Sequence, residues 1–554
     1  MWRDVVPTAQ LADDRRGGAV VGIDVDEDRD HLHSLGYAQE LKRGLGTFSN
    51  FAISFSIISI LAGGFTSYWI GVTFGGPLVV TLGWLVVGAM ALLVGMAMGE
   101  ICSAYPTAGG LYFWSAKLAR RNGPAWSWFT GWFNFIGQIG VIASVDYALA
   151  NYAVAFINLY SEDPAAPIIE PSAGNLFGVF VGILALHGLL NTFGVGLVRI
   201  LGNVSVWWHV AGVAVICGVL FAGPEQHQDF SYLFEYQNNS AWSGGLSTVY
   251  VFLLGFLLAQ YTITGFDASA HVSEETRNAR TSAPKAIVRS IWISAIAALI
   301  LNVAFLLATP ADLARIDASE YGITFPVVIF TSVLGSTAAK LLVFITVAGQ
   351  FFCGMASVTA NSRMIYAFSR DGGLPGSRFW HRINPRTRTP TNAVWLGVIV
   401  AAATGALSLV QYDGVSTAFF ALTGIAVVGL YISYVIPVFL RLRNPDFQTG
   451  PWNLGRFSKV IGWVAVCWVV FVSLLFVAPL FPQWQWWNPD DLNTANFAGP
   501  LILLSFIFVG GWWMISARKW FTGPKVQGSR EELLAIEREL DALEHGGVPV
   551  SSEA

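Results

Sequence analysis

Twelve separate stretches of this 554-residue chain are long and apolar enough to cross a lipid bilayer, and nothing else in the sequence constrains the fold as strongly. They span roughly residues 47–71, 78–99, 126–152, 174–193, 200–222, 246–270, 285–309, 328–361, 393–410, 414–440, 460–480 and 499–517. A spanning helix needs about 20 mostly apolar residues, because its backbone must satisfy its own hydrogen bonds where there is no water. Composition agrees: 12% of residues are charged, about half the share in soluble domains, so most of the surface must face lipid. The predicted class is all-α, a polytopic membrane protein of 12 transmembrane helices. The stretch 328–361 is expected to include a loop leading into its helix.

The positive charges set the orientation. If both termini are cytoplasmic, every Lys and Arg except Arg315 and Lys340 falls on the cytoplasmic side, and the opposite loops carry Glu162, Asp163, Glu170, Glu225, Asp229, Glu235, Asp312, Asp317 and Glu320. That is the positive-inside pattern, and a wrong helix count would scramble it. The first forty residues have no apolar core, so no cleaved signal peptide is expected. Net charge is −4, so nothing points to nucleic acid. Cys102, Cys217, Cys353 and Cys467 lack metal-type spacing and read as packing residues. Near the C-terminus, Ser529 and Glu532 form an S-x-x-E capping box. Leu533, Ile536, Leu540 and Leu543 share a helical face that Gly546 and Gly547 would end. This is a short surface helix, or a self-association or regulatory segment. Trp126, Trp128, Trp484, Trp486 and Trp487 sit near helix ends, where interfacial anchoring explains them; an aromatic cage for a quaternary ammonium is the alternative.

Two apolar stretches are interrupted in their middles. The first reads Ser59-Ile60-Leu61-Ala62-Gly63-Gly64-Phe65-Thr66, and the sixth reads Gln260-Tyr261-Thr262-Ile263-Thr264-Gly265-Phe266-Asp267. Glycine weakens a helix, and small polar side chains help satisfy the backbone groups it releases. Breaks five helices apart fit two inverted five-helix repeats with a substrate site at discontinuous helices 1 and 6. Such a site suits a zwitterion: N–H groups opening a half-helix bind a carboxylate, and carbonyls closing the opposing one accept from an ammonium. The competing reading is that Gly63 and Gly64 only permit close helix packing.

Further motifs extend the pattern. They are Leu45-Gly46-Thr47-Phe48-Ser49-Asn50-Phe51, Gly99-Glu100-Ile101-Cys102-Ser103-Ala104-Tyr105-Pro106-Thr107-Ala108-Gly109-Gly110, Thr264-Gly265-Phe266-Asp267-Ala268-Ser269-Ala270-His271-Val272-Ser273-Glu274-Glu275-Thr276 and Ser369-Arg370-Asp371-Gly372-Gly373-Leu374-Pro375. With these, residues 40 to 520 resemble the amino acid–polyamine–organocation superfamily, nearest its branch of amino acid, GABA and choline permeases. The resemblance implies a five-plus-five inverted repeat (LeuT-like) plus two extra helices. It implies a substrate carboxylate near Ala62, Gly63, Gly64 and Phe65, and an ammonium near the backbone of Tyr261, Thr262 and Ile263, with Thr264 and Gly265 completing the second break. It places Tyr261 where relatives carry an aromatic gate, and brings Phe352, Ser357 and Thr423, with Gly424, towards the substrate. The Ala-Gly-Gly run departs from the Gly-Ser-Gly of several relatives, removing a hydroxyl from that point.

Asp267 follows the second break directly. An intramembrane carboxylate is costly and a functional candidate; it serves either coupling and gating or as an acceptor for released backbone. His209 lies where some relatives place a lysine reaching towards helix 1, and either exchanges a proton or packs neutral. Asn134, Gln138 and Asp146 roughly share a face of helix 3, lining the pathway or bonding helices together. Glu100 is expected to pair with an arginine or cap a loop, and His187 is a weaker candidate. His271, Glu274 and Glu275 read as a solvated ion network of an inner loop.

The resulting map is a cytoplasmic tail (1–45), helices 1–5 (46–222), an extracellular loop (223–245), helices 6–10 (246–440), helices 11–12 (441–518) and a cytoplasmic tail with an amphipathic helix (519–554). The function predicted is secondary transport of an amino acid or related amine through a cell membrane, with a proton as co-substrate and no cofactor or metal. Alternatives are an exchanger, a choline or polyamine carrier, and a non-transporting nutrient sensor. An enzyme would need a clustered catalytic constellation at one membrane face, and direct ATP coupling a phosphate loop; neither pattern is present.

Overall fold

The computed structural model describes residues 20–163, 166–409, 418–480, 482 and 496–544. Trp484, Trp486, Trp487, Gly546 and Gly547 lie outside the described residues, as does the junction predicted between helices 9 and 10. The first element among the described residues is helix α1 (Val20–Leu35). The first apolar stretch follows as α2 (Thr47–Ile57), α3 (Gly63–Thr66) and α4 (Tyr68–Thr73). Then come α5 (Trp84–Ala104), the short α6 (Leu111–Leu118), α7 (Gly123–Asn158), α8 (Ala173–Thr192) and α9 (Val195–Ala222). The sixth stretch comprises α10 (Ser247–Leu254), α11 (Leu257–Thr262) and α12 (Ala268–His271). The remainder is α13 (Ala279–Ala308), α14 (Phe325–Val333), α15 (Ser336–Arg370), α16 (Ser377–Trp380), α17 (Thr391–Gly405), α18 (Ala418–Leu442), α19 (Ser458–Phe476), α20 (Ala498–Ile515) and α21 (Arg530–Glu544).

Ten helices among the described residues are long and apolar enough to cross a membrane. Ile296, Ile300, Leu503, Ile507 and Phe508 point outward and are exposed, as a lipid-facing belt requires. The central helix is α7, and α18 lies along it. Glycines make that contact possible: a Cβ on Gly137 would sit 2.6 Å from the Leu430 nitrogen, and one on Gly140 2.9 Å from that of Ala426. Without a hydrophobic drive inside lipid, such backbone proximity is what holds helices together.

The stretch read as 328–361 divides differently. A short helix, α14, ends at Leu334, whose backbone is extended, and α15 runs from Ser336 for 35 residues to Arg370. Both segments are apolar, so hydropathy merged them; the polar end of α15 continues because its charges are paired within the protein.

The two tails pack on each other and therefore share one side of the molecule. His33 Nε2 lies 2.6 Å from Glu537 of α21, Glu537 also accepts from the Gln39 N–H at 2.7 Å, and Arg388 donates to Asp541 at 2.8 Å. Asp28 accepts from the Asn278 and Ala279 N–H groups at the start of α13. Asp371, just past α15, receives the hydroxyls of Tyr37 and Tyr112 and the Lys525 N–H. The tails thus bind both the loop before α13 and the loops after α15.

Candidate functional site

The two broken stretches meet. A Cβ on Gly63 would lie 2.8 Å from the Thr262 Cα, so only glycine lets the first break touch the second. Gly265 has φ +90°, in the left-handed region that glycine tolerates, and a Cβ there would strike Ile57. Local side chains and neighbouring helices satisfy backbone released at both breaks. Ser59 Oγ accepts from the Ala62 N–H at 3.1 Å, while Cys353 and Gln350 of α15 donate to the Ile57 and Leu61 carbonyls at 3.2 and 3.4 Å. On the other side, Ser54 donates to the Phe266 carbonyl at 2.9 Å and Tyr431 of α18 to that of Ile263 at 3.0 Å. The crossing is buried, and beside it lies a cavity of about 10 Å³ lined by Gln138, Gly265, Asp267 and Ser357 among others. That is room for about one water, so the site is closed in this structure.

Ala62, Gly63, Gly64 and Phe65 line one side of the crossing, with Phe65 edge-on to Phe305 at 5.1 Å; Thr262, Ile263, Thr264 and Gly265 line the other. The Tyr261 hydroxyl donates to Ser144 at 2.9 Å, pinning that aromatic ring against α7. Ser357 faces the small cavity, and Thr423 is buried in α18. Phe352 is not brought to the crossing: it is half-buried with its ring 6.5 Å from Trp208 of α9, because α15 turns that side towards α9.

Asp267 is 1% exposed and fully engaged. Tyr434 donates to one carboxylate oxygen at 2.7 Å; Asn134 and Gln138 donate to the other at 3.1 and 3.3 Å, and His271 Nε2 lies 3.2 Å from it. His209 places Nε2 at 2.6 Å from Ser59 Oγ and Nδ1 at 2.8 Å from the Ser205 carbonyl, tying α9 to the first break.

Two expectations need correction. Asn134 and Gln138 do face Asp267, but Asp146 turns away to His187 of α8, 3.1 Å distant, because the eight residues from Gln138 make about 2.2 turns of α7 and rotate it about 80° off their face. Both members of that pair are fully buried, and Asp146 Oδ1 and His187 Nε2 have no hydrogen-bond partner among the described residues. The pair fits only because residue 354 is glycine: a Cβ there would meet the Asp146 carboxylate and come within 2.6 Å of the His187 ring. Nor is the group His271, Glu274 and Glu275 solvated; all three are at most 2% exposed. Glu275 pairs with Arg363 at 2.7 Å and Glu274 with Arg370 at 3.1 Å, so arginines of α15 replace the water the sequence reading assumed. Glu100 does pair with an arginine, Arg441, at 2.8 Å. Sequence reasoning missed Arg363 and Arg370, although two arginines in an apolar helix already signal buried partners.

Comparison with known proteins adds a family. Residues 45–516 match the family model described as amino acid permease. The chain is 40% identical over 513 residues to a protein named amino-acid permease BAT1 from Arabidopsis thaliana, covering 90% of this chain and 96% of that protein. It is 39% identical to a rice homologue of that permease, over 93% of this chain and 98% of the relative. A Candida albicans protein named putative polyamine transporter is 29% identical, over 93% and 92% respectively.

Proposed function

The chain belongs to the amino acid permease family, and from that premise we propose that it is a secondary carrier of amino acids or related amines in a cell membrane, driven by protons. In this reading twelve membrane crossings form two inverted five-helix repeats plus two helices, with both tails cytoplasmic. The substrate sits at the crossing of the two breaks, its carboxylate by Ala62–Phe65 and its ammonium by Tyr261–Ile263. The observation that carries this reading is the contact of Gly63 with Thr262. Two interrupted helices that meet in a buried crossing are the arrangement in which discontinuous helices turn backbone N–H and carbonyl groups towards an anionic and a cationic substrate group. Transport proceeds by alternating access: the part built from α2–α4, α5, α10–α12 and α13 rocks against the rest.

The test is uptake by purified protein in liposomes, with and without an inward proton gradient, across labelled neutral amino acids, GABA, choline and putrescine. Accumulation of one substrate that collapses with a protonophore supports the proposal. Uptake only into preloaded liposomes makes the protein an exchanger. Absence of flux from folded protein refutes a carrier of these compounds. A second reading, an amine carrier, is favoured by the name of the Candida relative, and the putrescine arm decides it.

A further inference from the structure

Two buried histidines make different demands on protons. At His209, Nδ1 faces the Ser205 carbonyl, which can only accept, and Nε2 faces a serine hydroxyl, which can donate. One ring proton satisfies both, so His209 is complete as a neutral imidazole. At His271, Nδ1 lies 2.9 Å from the Ala108 carbonyl and Nε2 3.2 Å from Asp267 Oδ2. The carbonyl again requires the proton on Nδ1. The remaining contact then sets a lone pair against a carboxylate, acceptor against acceptor. It is attractive only when one additional proton lies between Nε2 and Oδ2.

The surroundings leave no other way to balance this contact. From α7, Asn134 and Gln138 present amides to Asp267, and from α18 Tyr434 presents a hydroxyl. On the chain after α12, Glu274 and Glu275 are already held by Arg370 and Arg363 of α15. The loop facing the imidazole offers the Ala108 carbonyl and Gly110, where a Cβ would lie 3.3 Å from the ring.

We propose that Asp267 and His271 share one exchangeable proton, and that it is the proton coupled to transport; this rests on the proton-driven reading above. In the loaded state Nε2 carries the proton and the pair is neutral overall. Release breaks the N–H bond, the electron pair stays on nitrogen, and the proton passes to water. A neutral imidazole and an uncompensated carboxylate remain at a site 1% exposed. A buried unpaired charge is strongly unfavourable, so release is tied to a conformation that admits water. Asp267 and Gly265 of the second break both line the small cavity. A change of charge at the couple therefore acts directly on the backbone that holds substrate.

The test compares wild type, Asp267→Asn and His271→Gln in liposomes. The Asn amide carries no exchangeable proton; it can donate to a neutral Nε2 once the Asn134 and Gln138 amides, which donate to that same position in the wild type, turn their oxygens towards it. Both variants are expected to lose accumulation driven by a pH gradient, and to lose the pH dependence of uptake, while still exchanging labelled for unlabelled substrate. A purely structural role would impair exchange and accumulation alike, and that outcome overturns the proposal, as does proton-driven accumulation by either variant. A second readout does not depend on transport: the unfolding midpoint of purified wild type should fall as pH rises through release of the shared proton, and Asp267→Asn should abolish that fall. Such a fall without any proton-driven uptake by wild type overturns coupling but retains the shared proton. Identical pH profiles of wild type and Asp267→Asn overturn both.

Discussion

Arg363 and Glu275 form an ion pair 2.7 Å apart, with side chains 1% and 2% exposed, joining α15 to the chain just after α12. Replacing Arg363 with methionine keeps much of its volume but strands Glu275 in an environment with almost no water. Removing one partner of such a pair costs about 3–5 kcal/mol, while replacing both with apolar or neutral groups is far milder. Against a total stability of about 5–15 kcal/mol, the single change should be plain in any melting experiment. The protein carries its own reporter: Cys102, Cys217 and Cys353 are buried, and Cys467 is exposed. Heating purified protein with a thiol-reactive fluorophore therefore reads unfolding as the three buried thiols appear above the Cys467 baseline. Arg363→Met and Glu275→Gln should each melt well below wild type. The double variant should melt higher than the sum of the single losses predicts, giving a coupling energy at the upper end of the roughly 0.5–3 kcal/mol seen for interacting neighbours. If Arg363→Met melts with wild type, or the double variant is simply additive, the buried pair does not hold these segments together.

Three other outcomes follow from the geometry. Gly63→Ala should abolish uptake in liposomes, because its Cβ meets backbone at 2.8 Å, whereas Gly64→Ala, with its nearest neighbour at 3.9 Å, should retain it. Gly354→Ala should separate Asp146 from His187 and lower the unfolding temperature, since overpacking a core costs about 1–3 kcal/mol. In the N-terminal tail, burial pulls the His31 imidazole below its ordinary value near 6.5, with Arg280 adding to the effect. A depressed folded value means the stabilisation is complete above about 6.5 and is lost as pH falls through the folded value. Hydrogen exchange at residues 27–35 should therefore accelerate as pH is lowered below that point, after correction for intrinsic rates, and His31→Asn should remove the excess.

The breaks were legible in the sequence because a glycine pair in an apolar run is a local signal, and the ten long apolar helices because lipid demands length. Polar partnerships across helices were not. Asp146 and His187 are 41 residues apart, on α7 and α8, and nothing in either segment reveals that Gly354 of a third helix makes room for them. His271, Glu274 and Glu275 look like loop residues because charge normally seeks water; only the fold shows that α15 delivers two arginines to the same depth. Hydropathy likewise joined α14 to α15, since one glycine after an extended leucine is too small a gap for an average over twenty residues.

The docking of the two tails also has a consequence in time. His33 and Glu537, in contact at 2.6 Å, are 504 residues apart. At about 5–20 residues per second, a ribosome needs roughly 25–100 s to travel between them. Throughout that interval α1 exists without α21, and Arg388 and the Gln39 N–H have no carboxylate to meet. Helices α2 to α20 are already made when the last partner emerges, so this face closes only after they have been synthesised. A chain stopped before residue 530 would hold α2 to α20 and still lack the helix that ties α1 to the loop around Arg388.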